Sequence, residues 1–316
     1  MTTVFLTLLP LLALALDLLW GDPARLPHPV RGLGLVADRL EIWGRRLMPG
    51  GLFFWGGLST LILAGGAAAL AHDLSRLPWV GWLVALYLAW SGLALRGLLD
   101  SGRAVARQLE KGDLPGARVT LSGLVSRETA HLDADGVRRA LAETVSENLN
   151  DAFVAPFFWL CLLGPGGLWF HKTVSTLDSM WGYRDERYER LGKFPARLDD
   201  LLAYIPARIT ALVMILTGAL MDLDWRAAKA HVAAAASESE SPNAGWPMSA
   251  AAWLCGARVG GPAIYFGRTK DKPWIGPEGG FWDGEKLETL FQLCLLTAAL
   301  TALFLFLGLG LLRLFL

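Results

Sequence analysis

The sequence predicts an all-α polytopic membrane protein with about four to six transmembrane helices, one of them interrupted or re-entrant, joined by helical cytoplasmic loops. Three observations predict it. Of 316 residues, 53% are hydrophobic and only 18% charged, where an ordinary soluble domain carries roughly 25% charge. Four runs, Val4–Trp20, Leu52–Ala71, Trp79–Leu99 and Phe291–Leu316, are long and apolar. A spanning helix needs about 20 such residues, because about 1.5 Å of rise per residue must cross about 30 Å of hydrocarbon. Between the runs, helical spacing recurs and strand signals are scarce.

Composition removes several functional classes. Lysine plus arginine number 29 and aspartate plus glutamate 29, so no net field draws the chain to nucleic acid. Three cysteines, Cys161, Cys255 and Cys294, make neither a disulfide scaffold nor a four-cysteine zinc site. The apolar content is too high for a disordered chain.

Taken in order, Val4–Trp20 reads as a retained helix. A signal peptide would open with a basic region, and the first positive residue is Arg25. Trp20, Trp55 and Trp79 stand near run ends, as an interfacial aromatic belt requires. The third run carries Arg96 near its end. A fifth run, Ile205–Met221, is slightly short, with Arg208 near its start. The sixth, Phe153–Phe170, contains Pro156 and Gly164-Pro165-Gly166-Gly167, breakers that mark it as interrupted or re-entrant. Outside these runs, 100–118, 132–151 and 227–236 read as helices, the first stopped by Gly-Asp-Leu-Pro at 112–115. The resulting segments are 1–99, 100–152, 153–221, 222–290 and 291–316.

Charge sets orientation. The loops 21–51, 100–152 and 171–204 each carry five or more Lys/Arg, whereas 72–78 has only Arg76. The positive-inside rule puts the three basic loops in the cytoplasm. Full alternation cannot do so, because 153–170 separates two of them, and a broken segment that enters and returns can.

Several polar clusters accompany this frame, each with an ordinary structural reading. Arg139, Glu143, Glu147 and Asp151 fall on one helix face. That spacing suits a solvated face with an i,i+4 ion pair, and equally a magnesium site, since hard cations want converging oxygens. The stripe runs into an apolar segment, where carboxylates are costly without partners. His171-Lys172-Thr173 and Asp178 supply phosphate and magnesium chemistry, or a basic flank and a helix cap. Arg197, Asp199, Asp200 and Arg208 follow. Adjacent carboxylates diverge on a helix, and Arg208 beside Pro206 opens an apolar helix where it can snorkel or hold a phosphate. Prolines 23, 27 and 29 fix an extended connector around His28 and Arg31. Ser241-Pro-Asn-Ala-Gly-Trp246 reads as a turn. The chain has no P-loop and no dinucleotide fingerprint.

The order of these motifs resembles the adenosylcobinamide-phosphate synthase family of cobalamin biosynthesis (CobD/CbiB). The matching stretches are Asp17…Gly-Asp-Pro23…His-Pro-Val-Arg31, then Leu121-Ser-Gly-Leu-Val-Ser-Arg-Glu-Thr129 and Glu143…Glu147-Asn148…Asp151. Lys172…Thr176-Leu-Asp-Ser-Met180, Ala196-Arg-Leu-Asp-Asp200…Arg208 and Ser241-Pro-Asn-Ala-Gly-Trp246 complete them. The resemblance implies an ATP-dependent ligase in a bacterial cytoplasmic membrane, with its site on the cytoplasmic face. It would join (R)-1-aminopropan-2-ol or its O-phosphate to adenosylcobyric acid, using ATP and Mg²⁺. Its partners would be these substrates, the lipid bilayer and other membrane enzymes of the pathway. Allocated by chemistry, Glu147, Asp151 and Asp200 would hold the metal. Glu143 as base, Lys172, Asp178 and Arg208 would act in catalysis. His28, Arg31, Arg127, Arg197 and Asn243 would bind nucleotide and substrate. A small-molecule transporter, or a non-catalytic membrane sensor or scaffold of the same superfamily, are the rival readings. A transporter calls for ionisable residues at mid-bilayer and for symmetric halves, and neither is present.

Overall fold

A computed structural model describes residues 3–22, 28–183, 185–265 and 267–310. Pro23, Arg25 and Pro27 of the proline-fixed connector, and the last six residues of the final apolar run, lie outside them. Helix accounts for 74% of the chain and strand for 3%, which settles the class as all-α. Five helices are long and apolar enough to cross a membrane: Pro49–Leu74, Gly81–Glu110, Ala134–Trp181, Lys193–Leu220 and Gly284–Gly308. Thr7–Trp20 is a shorter apolar helix. The protein is an integral membrane protein by this measure.

Twelve helices are described: α1 Thr3–Trp20, α2 Pro29–Leu47, α3 Leu52–Leu74, α4 Gly81–Ser91, α5 Leu95–Glu110, α6 Leu114–Ser122, α7 Ala134–Leu149, α8 Ala155–Trp181, α9 Lys193–Leu220, α10 Trp225–Ser237, α11 Gly245–Leu254 and α12 Gly284–Leu305. Their starts follow capping chemistry. Pro29 opens α2 where a missing N–H costs nothing. Asp113, Asp133 and Asp224 cap α6, α7 and α10 by accepting the N–H groups of Gly116, Gly136 and Ala227.

The chain forms two compact units. The first comprises Met1–Ala94, Ala155–Ala203 and Ala302–Leu316. Here α3 packs along α8, and at Gly166 a Cβ would lie 3.1 Å from the Ala68 carbonyl oxygen. Ala37, Leu177, Trp181 and Leu191 form a buried cluster that ties α2 to the end of α8. Glu41 of α2 is buried beside it and accepts hydrogen bonds from Arg45 (2.9 Å), Arg187 (2.8 Å) and Tyr188 (3.2 Å). Burial alone would raise the Glu41 pKa; hydrogen bonds from Arg187 and Arg45 outweigh it and hold the carboxyl below its ordinary value. Away from this core α3 exposes Leu58, Leu61 and Ile62. Such a face is at home in lipid.

The second unit comprises Leu95–Val154 and Tyr204–Thr301. Its centre is α7, on which Val137, Ala140, Leu141, Val145 and Leu149 are all buried. Gly102 of α5 admits Phe291 of α12 and Val145 of α7. Four short strands follow α11: β1 Val259–Gly260, β2 Ala263–Tyr265, β3 Arg268–Lys270 and β4 Trp274–Ile275. β1 pairs antiparallel with β4, Val259 opposite Ile275, and β2 pairs with β3.

Structure and expectation differ at four places. The run 79–99 falls largely within the candidate span Gly81–Glu110 but is broken inside it: α4 ends at Ser91 and α5 begins at Leu95. Gly92, in the gap, lets Leu168 approach to 2.7 Å of where a Cβ would be. The stop at 112–115 is real, but α6 follows it at once. Pro206 does not open a helix; it sits inside α9, which starts at Lys193. A proline cannot donate to the carbonyl four residues back, and that carbonyl, of Leu202, accepts instead from the Trp159 indole at 3.2 Å. The region 222–290, read as loop apart from 227–236, contains α11 and the four strands.

The interruption expected in 153–170 falls at Gly164, with φ 70° and ψ −161° inside α8. That backbone region is open essentially to glycine alone. Space is not the constraint, because a Cβ there meets nothing within 4 Å. Gly164→Ala should therefore destabilise by about 1–3 kcal/mol through backbone strain. Gly65→Ala, in α3 and equally unobstructed, should leave melting in detergent unchanged or raise it. Equal melting temperatures for the two variants would contradict the break.

Candidate functional site

In the second unit the polar stripe on α7 is built from contacts distant in sequence. Glu143 is 3% exposed. Its Oε1 accepts from the Arg127 guanidinium, and from Lys272 Nζ at 3.3 Å. Its Oε2 accepts the Gly260 N–H at 3.3 Å, which joins α7 to β1. Burial alone would lower the pKa of both cations, but the Glu143 charge outweighs it and holds Arg127 and Lys272 above their ordinary values. The i,i+4 pair that spacing allows between Arg139 and Glu143 is not formed. Arg139 lies 4.8 Å over the Trp274 ring.

One turn further along, Glu147 is half-buried and, among the described residues, makes no hydrogen bond or ion pair. It faces a cavity of about 180 Å³ that Lys272, Glu240, Ser239 and Ser241 also line. Other polar groups of α7 are spent on the backbone: Ser146 donates to Ala142, and Asn148 to Thr144. Asp151 follows in a π-helical turn, Asn150–Val154. Its Oδ1 accepts from Asn150 at 2.8 Å. Thr210 donates to Asn150 Oδ1 at 3.3 Å, linking α9 to this turn. Such turns are frequent at functional sites.

Arg208 and Asn243 meet across 35 residues, with Arg208 Nη1 donating to Asn243 Oδ1 at 3.4 Å. The guanidinium also donates to the carbonyls of Tyr204 (2.7 Å) and Pro242 (3.4 Å). It lies 3.3 Å over the Tyr204 ring and 4.8 Å over Trp246. All these acceptors are neutral. The group is fixed in place yet keeps its full charge for an anion.

In the first unit His28 precedes α2, its Nε2 3.5 Å from Asp22 Oδ1. Burial, and then the nearby charges of Arg31 and Lys172 against that of Asp22, hold its pKa below the ordinary value. The imidazole is neutral at pH 7, and His28, Arg31 and Lys172 share one electropositive neighbourhood. Lys172 and Asp178 are half-buried on α8, and on α9 Arg197 is exposed with Asp199 and Asp200 half-buried.

Two expected roles change. Glu143 is not a free base, since two cations and a backbone N–H hold its carboxylate. Among the described residues no three His, Cys, Asp or Glu side chains gather to hold a metal ion. Glu147 shares its cavity with the Lys272 ammonium, which disfavours a divalent cation there. Magnesium often takes one or two carboxylates and fills its shell with water and substrate phosphate, so single carboxylates such as Asp151 and Asp200 still suit it. Lys272 went unsuspected. It is 129 residues from Glu143, beyond the reach of any local spacing rule.

A family model described as CobD/Cbib protein matches residues 10–294. A cobalamin biosynthesis protein CobD of Pelobacter propionicus is 41% identical over 290 residues, covering 89% of this chain and 88% of the relative. CobD of Klebsiella pneumoniae is 39% identical over 278 residues, covering 83% and 84%. A cobalamin biosynthesis protein CbiB of Salmonella typhimurium is 38% identical over 275 residues, covering 84% and 85%. No solved structure matches the chain.

The Glu143 cluster makes a stability prediction. Arg127→Met strands a buried carboxylate, and breaking a buried pair from one side costs about 3–5 kcal/mol. Arg127→Met should therefore melt well below the parent in detergent. The double variant Arg127→Met/Glu143→Met should recover much of the loss, because replacing both partners with apolar groups is far cheaper. A double variant no better than the single one would argue against the pairing.

Proposed function

The chain belongs to the CobD/CbiB family of cobalamin biosynthesis proteins, and from that premise we propose that it is an ATP-dependent amide ligase. It joins (R)-1-aminopropan-2-ol, or its O-phosphate, to adenosylcobyric acid. The observation that carries the reading is the cavity beside α7, where an unpaired carboxylate, Glu147, shares the lining with Lys272, a cation fixed by Glu143. Few roles other than ligand binding explain an uncompensated carboxylate at a cavity in so apolar a protein.

A carboxylate is a poor electrophile and must be activated, most simply as an acyl phosphate formed with ATP. The amine then attacks the acyl carbon and phosphate leaves. Arg208, held by neutral acceptors, is suited to a phosphoryl oxygen. Lys172 and Arg31, beside the neutral His28, are suited to another, with Arg197 exposed for a further contact. When bound, Mg²⁺ would neutralise phosphate charge; the candidate carboxylates are Asp178 and Asp200 in the first unit and, separately, Asp151 in the second. Asn243 orients Arg208.

The test is direct. Purified protein with adenosylcobyric acid, aminopropanol O-phosphate, ATP and Mg²⁺ should form product only when nucleotide is present. Asp200→Asn should abolish turnover while expression and membrane insertion persist. Asp199→Asn should retain it, since neighbouring helix positions diverge by about 100°. Activity within a few-fold of the parent in Asp200→Asn would remove that residue from the site.

We further propose that the protein lies in the bacterial cytoplasmic membrane with the site on the cytoplasmic face, where ATP is. The basic loops and the break at Gly164 support this placement. The three native cysteines are buried and give a low background for labelling. New cysteines near 135 and 190 should be shielded from an impermeant thiol reagent in intact cells, and one near 75 labelled. Labelling at 190 but not at 135 would separate the two loops and defeat a single-face site.

A further inference from the structure

We propose that the cavity bounded by α7, the turn 239–244 and the β1–β4 pair is the binding site for the ammonium end of the amine substrate. Glu147 is its counter-ion and the acceptor of its proton. This rests on the ligase reading and adds to it where the amine binds and which group deprotonates it.

Size matches the smallest substrate. The cavity holds about 180 Å³. That is roughly six waters at about 30 Å³ each, enough for an amino alcohol of about five heavy atoms. Pockets for drug-sized ligands run to about 300–1,000 Å³, so neither a nucleotide nor a corrinoid is enclosed here. Charge then selects among small ligands. Three carboxylates, Glu143, Glu147 and Glu240, line the cavity against one ammonium, Lys272. Glu143 is neutralised by Arg127 and Lys272, and Glu240 is paired with Lys270 at 2.6 Å. Glu147 alone of the three lacks a partner, and an unpaired carboxylate at a confined site favours a cation. The nearby Lys272 charge makes a monovalent ammonium a better occupant than a divalent metal.

The remaining walls fit the rest of such a molecule. Met248, Val259 and Ile275 offer an apolar surface for an alkyl chain. Ser241 Oγ accepts the N–H groups of Asn243 (3.2 Å) and Ala244 (3.3 Å), which leaves its own proton to donate to a substrate hydroxyl. The bound ammonium gives one proton to Glu147. The freed nitrogen lone pair forms the C–N bond at the acyl phosphate carbon, the C–O bond breaks with its electron pair leaving on phosphate, and the departing phosphate takes the second proton that nitrogen sheds as the amide forms. Glu143 cannot serve instead, because protonating it would strand two buried cations.

The experiment compares the parent with Glu147→Gln, Glu147→Asp, Met248→Phe and the control Glu238→Gln, which is exposed and outside the cavity lining. Steady-state kinetics are measured with 1-aminopropan-2-ol and with its O-phosphate, and binding of each is titrated calorimetrically without ATP. Glu147→Gln should raise the KM and Kd for amine by roughly 10- to 100-fold. The KM for ATP and for the corrinoid acid should stay unchanged. Glu147→Asp should restore part of the loss, and Glu238→Gln should match the parent. Met248→Phe, which fills the cavity and keeps the carboxylate, should also weaken the amine, and it decides the matter if Glu147→Gln does not fold. A loss with either form of the amine supports the site and identifies its natural ligand. Unchanged amine parameters in a parent-like, active Glu147→Gln would overturn it and leave the ligase reading intact. If the parent makes no product, the ligase reading fails. Calorimetry then judges the site alone: amine bound by the parent and lost in Glu147→Gln upholds it, and equal or absent binding ends it.

Discussion

A charged side chain inside an apolar helical protein must be given a partner, and in this chain that requirement organises everything around α7. Glu143 lies on a largely buried helix, and leaving a charge there alone would be costly. Arg127 reaches it from the segment before α7, and Lys272 from the segment between β3 and β4. The backbone of β1 closes the shell through Gly260. Satisfying one carboxylate thereby fixes three stretches of chain that carry little apolar surface of their own. Glu41 plays the corresponding part in the other unit, where it anchors the segment of Arg187 and Tyr188 to α2.

Much of the fold was legible because lipid imposes a simple rule on sequence: length and apolarity read directly as helices. The runs beginning near residues 52, 205 and 291 all appear as helices, and the breakers at 164–167 interrupt α8 at Gly164. What escaped depends on contacts between segments. Nothing local distinguishes Gly92, where α4 ends, from Gly97, within α5. Only the first is pressed by Leu168. Pro206 reads as a helix start until the Trp159 indole is seen to occupy the carbonyl it leaves free. The four strands are two or three residues long, too short for any alternation to show.

The candidate site was legible as an inventory of residue types, and its wiring was not. The spacing of Arg139, Glu143 and Glu147 shows a shared face, yet the cations that pair with Glu143 come from 16 and 129 residues away. Arg208 and Asn243 were both singled out on the order of their motifs, and their contact appears only when the 241–246 turn meets α9. The π turn that carries Asp151 is likewise announced by no periodicity.

One consequence reaches from packing to chemistry. Glu143 and Glu147 are the same residue type, one helical turn apart, on the same face of the same helix. Intrinsic reactivity cannot separate them, and environment does. A carboxylate held by two cations and a backbone N–H is locked as an anion, since taking up a proton would break three contacts and strand two charges. Its task is to keep Lys272 and the β1–β4 pair where they stand. A carboxylate that faces a cavity with no hydrogen-bonded partner has no such obligation. Its counter-charge arrives with a ligand and departs with it, so its protonation can follow the reaction without disturbing the fold. The rigid member of the pair shapes the cavity, and the unpaired member is thereby left available for chemistry.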